Sequence, residues 1–468
     1  MIKTAGNVNK KLAMLFSSIV GKENVLTDTE DMIMYATDST CVSNDLYLPD
    51  YVLFPKSTEE ISDIMKIAYA SNLPVTTRGA GTNMAGCCVP FKGGIVLSLT
   101  KMNKIINFDE QNQTITVEAG VVVGDMQNIV EEKGLFYPPD PSNLKVSTIG
   151  GSLALSSSGP RTFKYGGTKD YVLALEVVLA NGEILEIGTP TIKDVAGYNL
   201  LQLFVGSEGT LGIITKATFR LIPKPEANNI MIAYFKKLSD AAKCINDIIM
   251  AKFLPSVLDI MDKKTMQTIE NYSPAGFLTD NEAALFIEID GDKNGLKNKI
   301  NAIKNICEKN HSTHTVVAEN QKEKEDIWNA RRSAFAAITQ SSPNVISEDM
   351  VVPRSKMPEM LKKTYEIGKR FSVNISVVGH AGDGNFHPHI AFDLRNIEET
   401  ERVNSAISEL FKTAVDFGGT ITGEHGIGSV KSQYLKTCTN PVTYSYMTKI
   451  KTLFDEKNIL NPQKVFEK

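Results

Sequence analysis

From residue 51 onward, short apolar runs alternate with amphipathic stretches. Residues 51–54 and 75–77 read as strands, with a helix at 57–70 between them and further strands at 94–99 and 114–118. A strand at 213–220 leads into Leu221-Ile222-Pro223-Lys224-Pro225, and a fresh series follows, with strands at 230–234, 257–262, 283–288, 315–318, 351–352 and 375–378 and helices among them. The final helix, 442–456, ends before Asn461-Pro462. The pattern predicts an α+β protein with its main boundary at the two prolines. It comprises an N-terminal helical segment (1–50), a first domain (51–225), a second domain (226–424) and a C-terminal segment (425–468).

Size and charge narrow the picture. A chain of 468 residues with 42% hydrophobic content exceeds what one core organises. Fifty Lys and Arg against 54 Asp and Glu leave a net charge of −4, and no long single-sign block offers a surface for nucleic acid or anionic lipid. Cys41, Cys87, Cys88, Cys244, Cys307 and Cys438 form no C-x-x-C pair, which argues against an iron–sulfur cluster or a disulfide framework and fits a reducing cytoplasm. No apolar run reaches about 18 residues, so a soluble, intracellular protein is expected.

Glycine, serine and threonine then concentrate in particular places. Arg78-Gly79-Ala80-Gly81-Thr82-Asn83 contains a G-x-G, but Met84 stands at the third glycine position and Cys88-Val89-Pro90 follows where a helix should begin, which argues against a Rossmann fingerprint. A second set of clusters lies between Pro138 and Gly212. A pyrophosphate needs several backbone N–H donors converging without side chains in the way, and two such segments can supply them from opposite sides. One nucleotide-sized cofactor explains both.

Four of the six histidines fall in Gly379-His380-Ala381-Gly382-Asp383-Gly384-Asn385-Phe386-His387-Pro388-His389 and Thr422-Gly423-Glu424-His425-Gly426-Ile427-Gly428. Imidazoles with a carboxylate are ligands for borderline divalent metals such as Zn, Mn or Fe, and flanking glycines let loops close around one ion. The spacing is not that of a helical zinc-protease motif; a loop followed by a strand is expected. On such a strand His387 and His389 point the same way, and spacing alone does not choose between them. His311 and His314, in a polar stretch, are read as ordinary histidines.

These motifs together resemble the FAD-linked oxidases of the vanillyl-alcohol oxidase type, in particular the branch of glycolate oxidase flavoprotein subunits and D-lactate or D-2-hydroxyglutarate dehydrogenases. The resemblance rests on Arg78 to Asn83, Asp140-Pro141-Ser142, Thr148-Ile149-Gly150-Gly151, Gly159-Pro160-Arg161, Lys164-Tyr165-Gly166, Val195-Ala196-Gly197-Tyr198-Asn199 and Gly206-Ser207-Glu208-Gly209-Thr210-Leu211-Gly212, in family order over nearly the whole chain. It implies a two-subdomain FAD-binding domain, to which the C-terminal segment returns, and an α+β, ferredoxin-like substrate cap. The cofactor-binding residues it implies are Arg78, Gly79, Ala80, Gly81, Thr82, Asn83, Pro139, Asp140, Ser142, Thr148, Gly150, Gly151, Ser157, Gly159, Tyr165, Gly166, Glu208, Gly209 and Ile213. With no histidine before His311, the flavin is expected to be noncovalent.

The resemblance further implies a divalent metal on His380, His387 and Glu424, with His425 as proton acceptor and Asn385 beside the substrate. His389 is left outside the ligand set. Arg331, in Trp328-Asn329-Ala330-Arg331-Arg332, matches the residue that clamps the substrate carboxylate. Phe335 and Ser347 replace polar residues of the 2-hydroxyglutarate enzymes, favouring a short acid such as D-lactate. The chain carries no second redox-centre motif, so an external acceptor is implied, with a two-subunit electron-transferring flavoprotein preferred over an iron–sulfur subunit or a quinone. Two rival readings are a flavin-dependent group-transfer enzyme of the same fold and a metal-containing binding protein or hydrolase without redox chemistry.

Overall fold

The computed structural model describes residues 2–4, 8–40 and 45–466. Its chain forms two compact units. The first comprises Met1–Ser157, Gly167–Lys224 and Glu424–Lys468, and the second Ser158–Gly166 and Pro225–Gly423. The short segment Ser158–Gly166, which the sequence places in the first domain, thus belongs to the second unit.

Two larger sheets organise the first unit, alongside two short two-stranded pairings. Strands β1 (Val25–Leu26), β2 (Tyr51–Leu53), β3 (Val75–Arg78) and β4 (Ile95–Ser98) form a sheet in the order β1-β2-β4-β3, with β4 parallel to both neighbours. Every residue of β4 is buried, which is why Ile95-Val96-Leu97 reads as a continuous apolar run. Helix α1 (Thr58–Ser71) links β2 to β3; Ser57 caps it by accepting the Glu60 N–H at 3.2 Å, and Asn72 ends it in the left-handed conformation at φ 51°. Its Ile61, Ile64, Met65 and Ala68 pack on that sheet's core.

The second sheet is antiparallel, with β5 (Ile105–Asp109), β6 (Thr114–Glu118), β7 (Val172–Val178), β8 (Ile184–Gly188) and β9 (Ile213–Arg220) in the order β8-β7-β9-β6-β5. Between β6 and β7 runs the short helix α2 (Ile149–Leu155), whose cap Thr148 accepts the Gly151 N–H at 3.3 Å.

One large antiparallel sheet organises the second unit. It is built from β10 (Ala227–Phe235), β11 (Val257–Asp262), β12 (Ala283–Gly291), β13 (Ser312–Val317), β14 (Asn344–Ser347), β15 (Met350–Val351), β16 (Ile375–His380) and β17 (Asn385–Phe392). The order is β13-β10-β12-β11-β16-β17-β14, with β15 also paired to β17. Helix α3 (Gln321–Arg332) supplies Ile327 and Ala330 to the unit's core. Among the described residues no helix is long and apolar enough to cross a membrane, and Cys87, Cys88, Cys244, Cys307 and Cys438 form no disulfide; Cys41 lies outside the described residues.

Candidate functional site

Strand register gathers the polar residues of the second unit on one sheet face. Residues directly opposite each other in an antiparallel pair share a face, as do residues two apart on one strand. His380 lies opposite Asn385 across β16 and β17, and opposite Asp259 on β11. His387 faces Val378, and His389 faces Ser376 on one side and Ser347 of β14 on the other. Asp259, Ser347, His380, Asn385, His387 and His389 therefore project from the same side. The turn between β16 and β17 makes this possible: Gly384 has φ +77°, and a Cβ there would sit 2.1 Å from the Val352 carbonyl oxygen.

Hydrogen bonds orient these side chains. Nδ1 of His380 lies 2.8 Å from Oδ1 of Asp259, and Nδ1 of His387 lies 3.3 Å from the Glu348 carbonyl oxygen. Each ring offers one nitrogen as a candidate metal ligand, and the Nδ1 hydrogen bond fixes the ring that presents it. The His380 and His387 rings meet edge to face with centroids 5.5 Å apart. Glu424 is bonded directly to Gly423, the last residue of the second unit. One ligand atom each from His380, His387 and Glu424 lie within 4.8 Å of one another, a separation that one divalent ion can bridge. His389 is buried beside Phe335, ring centroids 6.2 Å apart, and is not in this trio.

Two buried aspartates that motif reading does not single out tie the face together. Asp259 is completely buried; its Oδ2 accepts Nε and Nη2 of Arg331 at 2.9 and 2.7 Å. Burial pushes its carboxyl upward, but His380 and Arg331, both bonded to it, outweigh this and hold it below the ordinary value. Asp349, equally buried, accepts Nδ2 of Asn385 at 2.6 Å through Oδ1, and the Thr422 hydroxyl and Gly423 N–H at 2.7 Å each through Oδ2. Asn385 also donates to the Met350 carbonyl at 3.0 Å, so its amide nitrogen is spent within the protein and its oxygen is the atom available to a ligand. Arg331 likewise gives its side-on fork to Asp259, leaving Nη1 for a ligand. Of the two aspartates, Asp259 left a trace in the sequence, as an acid inside the otherwise apolar run Val257–Met261.

In the first unit the glycine-rich segments meet. A Cβ on Gly79 would lie 2.3 Å from Oγ1 of Thr148, so the 79–83 loop and the start of α2 touch with no room for a side chain. Around them the buried hydroxyls of Thr77, Ser147, Ser152 and Ser207 have no hydrogen-bond partner among the described residues. Stranded hydroxyls beside a close backbone approach fit a polar ligand such as the FAD pyrophosphate.

Other expected cofactor residues are engaged differently. Arg78 donates through Nη1 to the Thr37 carbonyl at 2.6 Å and lies over the Tyr35 ring. Asn83 donates to the His425 carbonyl at 3.1 Å and accepts the Ala85 and Cys87 N–H groups. Both Glu208 oxygens take backbone N–H groups, from Ile427 and Gly428, at 2.7 Å each, and the Cys87 thiol sits 3.1 Å from Oε2. Burial pushes the Glu208 carboxyl above its usual value against these bonds. Tyr165 belongs to the second unit, its hydroxyl donating to Asp290 at 2.8 Å, along with Gly159 and Gly166. Ile213 is fully buried in the apolar core. Asn83, through Nδ2, and Glu208, through both oxygens, thus hold the backbone from His425 to Gly428.

Comparison with known proteins agrees on the family. Residues 224–465 match the family described as FAD linked oxidases, C-terminal domain, and residues 49–188 match the FAD binding domain. The chain is 43% identical over 461 residues to the glycolate oxidase subunit GlcD of Bacillus subtilis, covering 98% of each chain. It is 35% identical over 425 residues to a D-lactate dehydrogenase of Anaerostipes hadrus, covering 89% of each. By fold it is similar to p-cresol methylhydroxylase, with a TM-score of 0.82 at 17% identity, covering 98% of both chains. It is also similar to an alkyldihydroxyacetonephosphate synthase, with a TM-score of 0.76 at 19% identity, covering 99% of this chain and 86% of that one.

Proposed function

The chain belongs to the FAD-linked oxidases, with the α+β fold of the vanillyl-alcohol oxidase type, and from that premise we propose that it oxidises a short D-2-hydroxy acid, D-lactate to pyruvate in the first instance. The observation that carries the reading is the trio His380, His387 and Glu424, whose imidazoles are each fixed through Nδ1 on a face that also holds Arg331 through Asp259. The three residues offer two nitrogens and an oxygen to a divalent Fe, Zn or Mn ion.

When bound, noncovalent FAD would supply the acceptor for the hydride, at N5, and a divalent ion held by His380, His387 and Glu424 would supply a Lewis acid that lowers the pKa of the substrate hydroxyl. The chain does the remainder. His425, next in sequence to Glu424 with Nε2 3.9 Å from that carboxylate, accepts the hydroxyl proton as the Cα hydrogen leaves with its electron pair. Arg331 pairs with the substrate carboxylate through Nη1, and Asn385 offers its side-chain oxygen. Phe335 and Ser347 flank His389, which supports a small, partly apolar pocket rather than one for a dicarboxylate. Electrons leave to a separate electron-transferring flavoprotein, since the sequence carries no cluster or haem motif of its own.

Glycolate is the second reading, favoured by the 43% identity to a glycolate oxidase subunit. Anaerobic titration with D-lactate, L-lactate, glycolate and D-2-hydroxyglutarate, followed by flavin absorbance, separates the readings. D-lactate is expected to bleach the flavin at the lowest concentration. Preferential bleaching by glycolate selects the second reading, and no bleaching by any of these acids rules out both.

A further inference from the structure

We propose that Asp259 is a positioning residue that couples metal loading to substrate-carboxylate binding, an inference that rests on the metal and 2-hydroxy-acid reading above. One carboxylate serves both sides. Its Oδ1 lies 2.8 Å from Nδ1 of His380, and its Oδ2 accepts Nε and Nη2 of Arg331 at 2.9 and 2.7 Å. Asp259 is fully buried, and the His380 and Arg331 side chains are nearly so, so water does not replace these bonds when they are lost.

The geometry assigns each oxygen a task. Acceptance of the Nδ1 hydrogen holds the His380 ring in the tautomer whose Nε2 is the basic, ligating nitrogen, and fixes the ring plane. Acceptance of the side-on fork holds the guanidinium so that Nη1 alone is left for a ligand. Because β11 is a central strand, paired to β12 and β16, the carboxylate itself has little freedom. Trp328 reinforces the arrangement: three residues before Arg331 on α3, it donates Nε1 to Glu288 at 2.8 Å and pins the helix to the neighbouring strand.

The test uses the FAD-loaded full chain, stripped of metal and titrated with Mn2+ against a chromophoric chelator, followed by steady-state kinetics with D-lactate at saturating Mn2+. Asp259→Asn is expected to retain FAD, to weaken Mn2+ binding by about 10- to 100-fold, and to raise KM by a larger factor than it lowers kcat. The His380→Ala chain serves as the reference for loss of a ligand. Should D259N fail to hold FAD or a cooperative melting transition, Asp259→Glu carries the same expectation, because it keeps the charge but displaces both oxygens by a methylene.

Mn2+ binding lost in H380A but unchanged at position 259 overturns the role of Asp259 and leaves the metal reading standing. Weakened Mn2+ binding with an unchanged KM overturns the coupling. Wild-type protein that takes up no Mn2+, or that binds it no more tightly than H380A, overturns the metal reading itself and the inference with it.

Discussion

Oε1 of Glu208 accepts the backbone N–H of Ile427 at 2.7 Å across 219 residues of sequence. With Oε2 on Gly428 and Asn83 on the His425 carbonyl, the backbone around His425 is held by side chains that the family motifs associate with the cofactor. Glu208→Gln puts an amide N–H₂ against one of those N–H groups and strands a buried donor, a loss of about 1–3 kcal/mol. The variant is expected to keep its FAD, to unfold at a lower denaturant concentration, and to reduce its flavin at least tenfold more slowly (~1.4 kcal/mol per factor of ten). FAD absorbance after gel filtration, beside stopped-flow reduction, checks this. Loss of FAD in step with loss of rate would instead make Glu208 a cofactor contact.

How much of this was legible follows from the range of the interactions. Strands at 114–118, 213–220 and 257–262 coincide with β6, β9 and β11, because each is marked by apolar residues within the strand itself. Helix α2 was missed: Gly150-Gly151 carry poor helix propensity, and the Thr148 cap together with tertiary packing overrides it. Strand β14 was missed too, being four half-buried residues without strong alternation.

The site divides along the same line. Two histidines two apart on a strand were readable as sharing a face, and register bears out that common side. The aspartates were not, since Asp259 meets His380 at a separation of 121 residues and Asp349 meets Asn385 at 36. No local period encodes a contact made only when β11 pairs with β16.

The close approach of Gly79 to Thr148 predicts non-additive stability. Gly79→Ala places a methyl 2.3 Å from Oγ1 and costs about 1–3 kcal/mol by overpacking. Thr148→Ala alone costs ~1 kcal/mol through the lost helix cap. Combined, the second change removes the atom the first collides with, so the double variant is expected to be more stable than G79A alone. Denaturant midpoints of the four chains check this, and simple addition of the two losses would refute the packing argument.

Removal of the His425 imidazole is expected to separate chemistry from assembly. The ring sits in a segment whose backbone is fixed by Asn83 and Glu208, so His425→Ala leaves those bonds in place. FAD and metal content should match the wild type while anaerobic flavin reduction by D-lactate falls by about 10²-fold or more. Glu424→Ala should lose metal as well as rate. Wild-type reduction by the His425 variant would take the proton-acceptor role away from it.

Lys464 supplies a pH test in the first unit that is independent of the proposed chemistry. Its ammonium is almost wholly buried, donates to the Val89 carbonyl at 2.6 Å, and is pulled down to a pKa of about 8 by burial, against the raising influence of Cys87, Cys88, Asp38 and Glu208. In the unfolded chain the same group titrates near 10.5. Below pH 8 both states hold the proton, and the buried charge costs on the order of 3 kcal/mol. Between about pH 8 and 10.5 the unfolded chain holds a proton that the folded chain has released, so this group's contribution to stability grows as pH rises through that window and is lost again as pH falls below it. Lys464→Met removes the titration while filling similar space. The stability of the wild type minus that of K464M is therefore expected to increase from pH 7 to pH 10, by up to ~3 kcal/mol. Paired urea melts at each pH measure it, and a difference that stays flat across the window would mean that the folded protein carries Lys464 with an ordinary pKa.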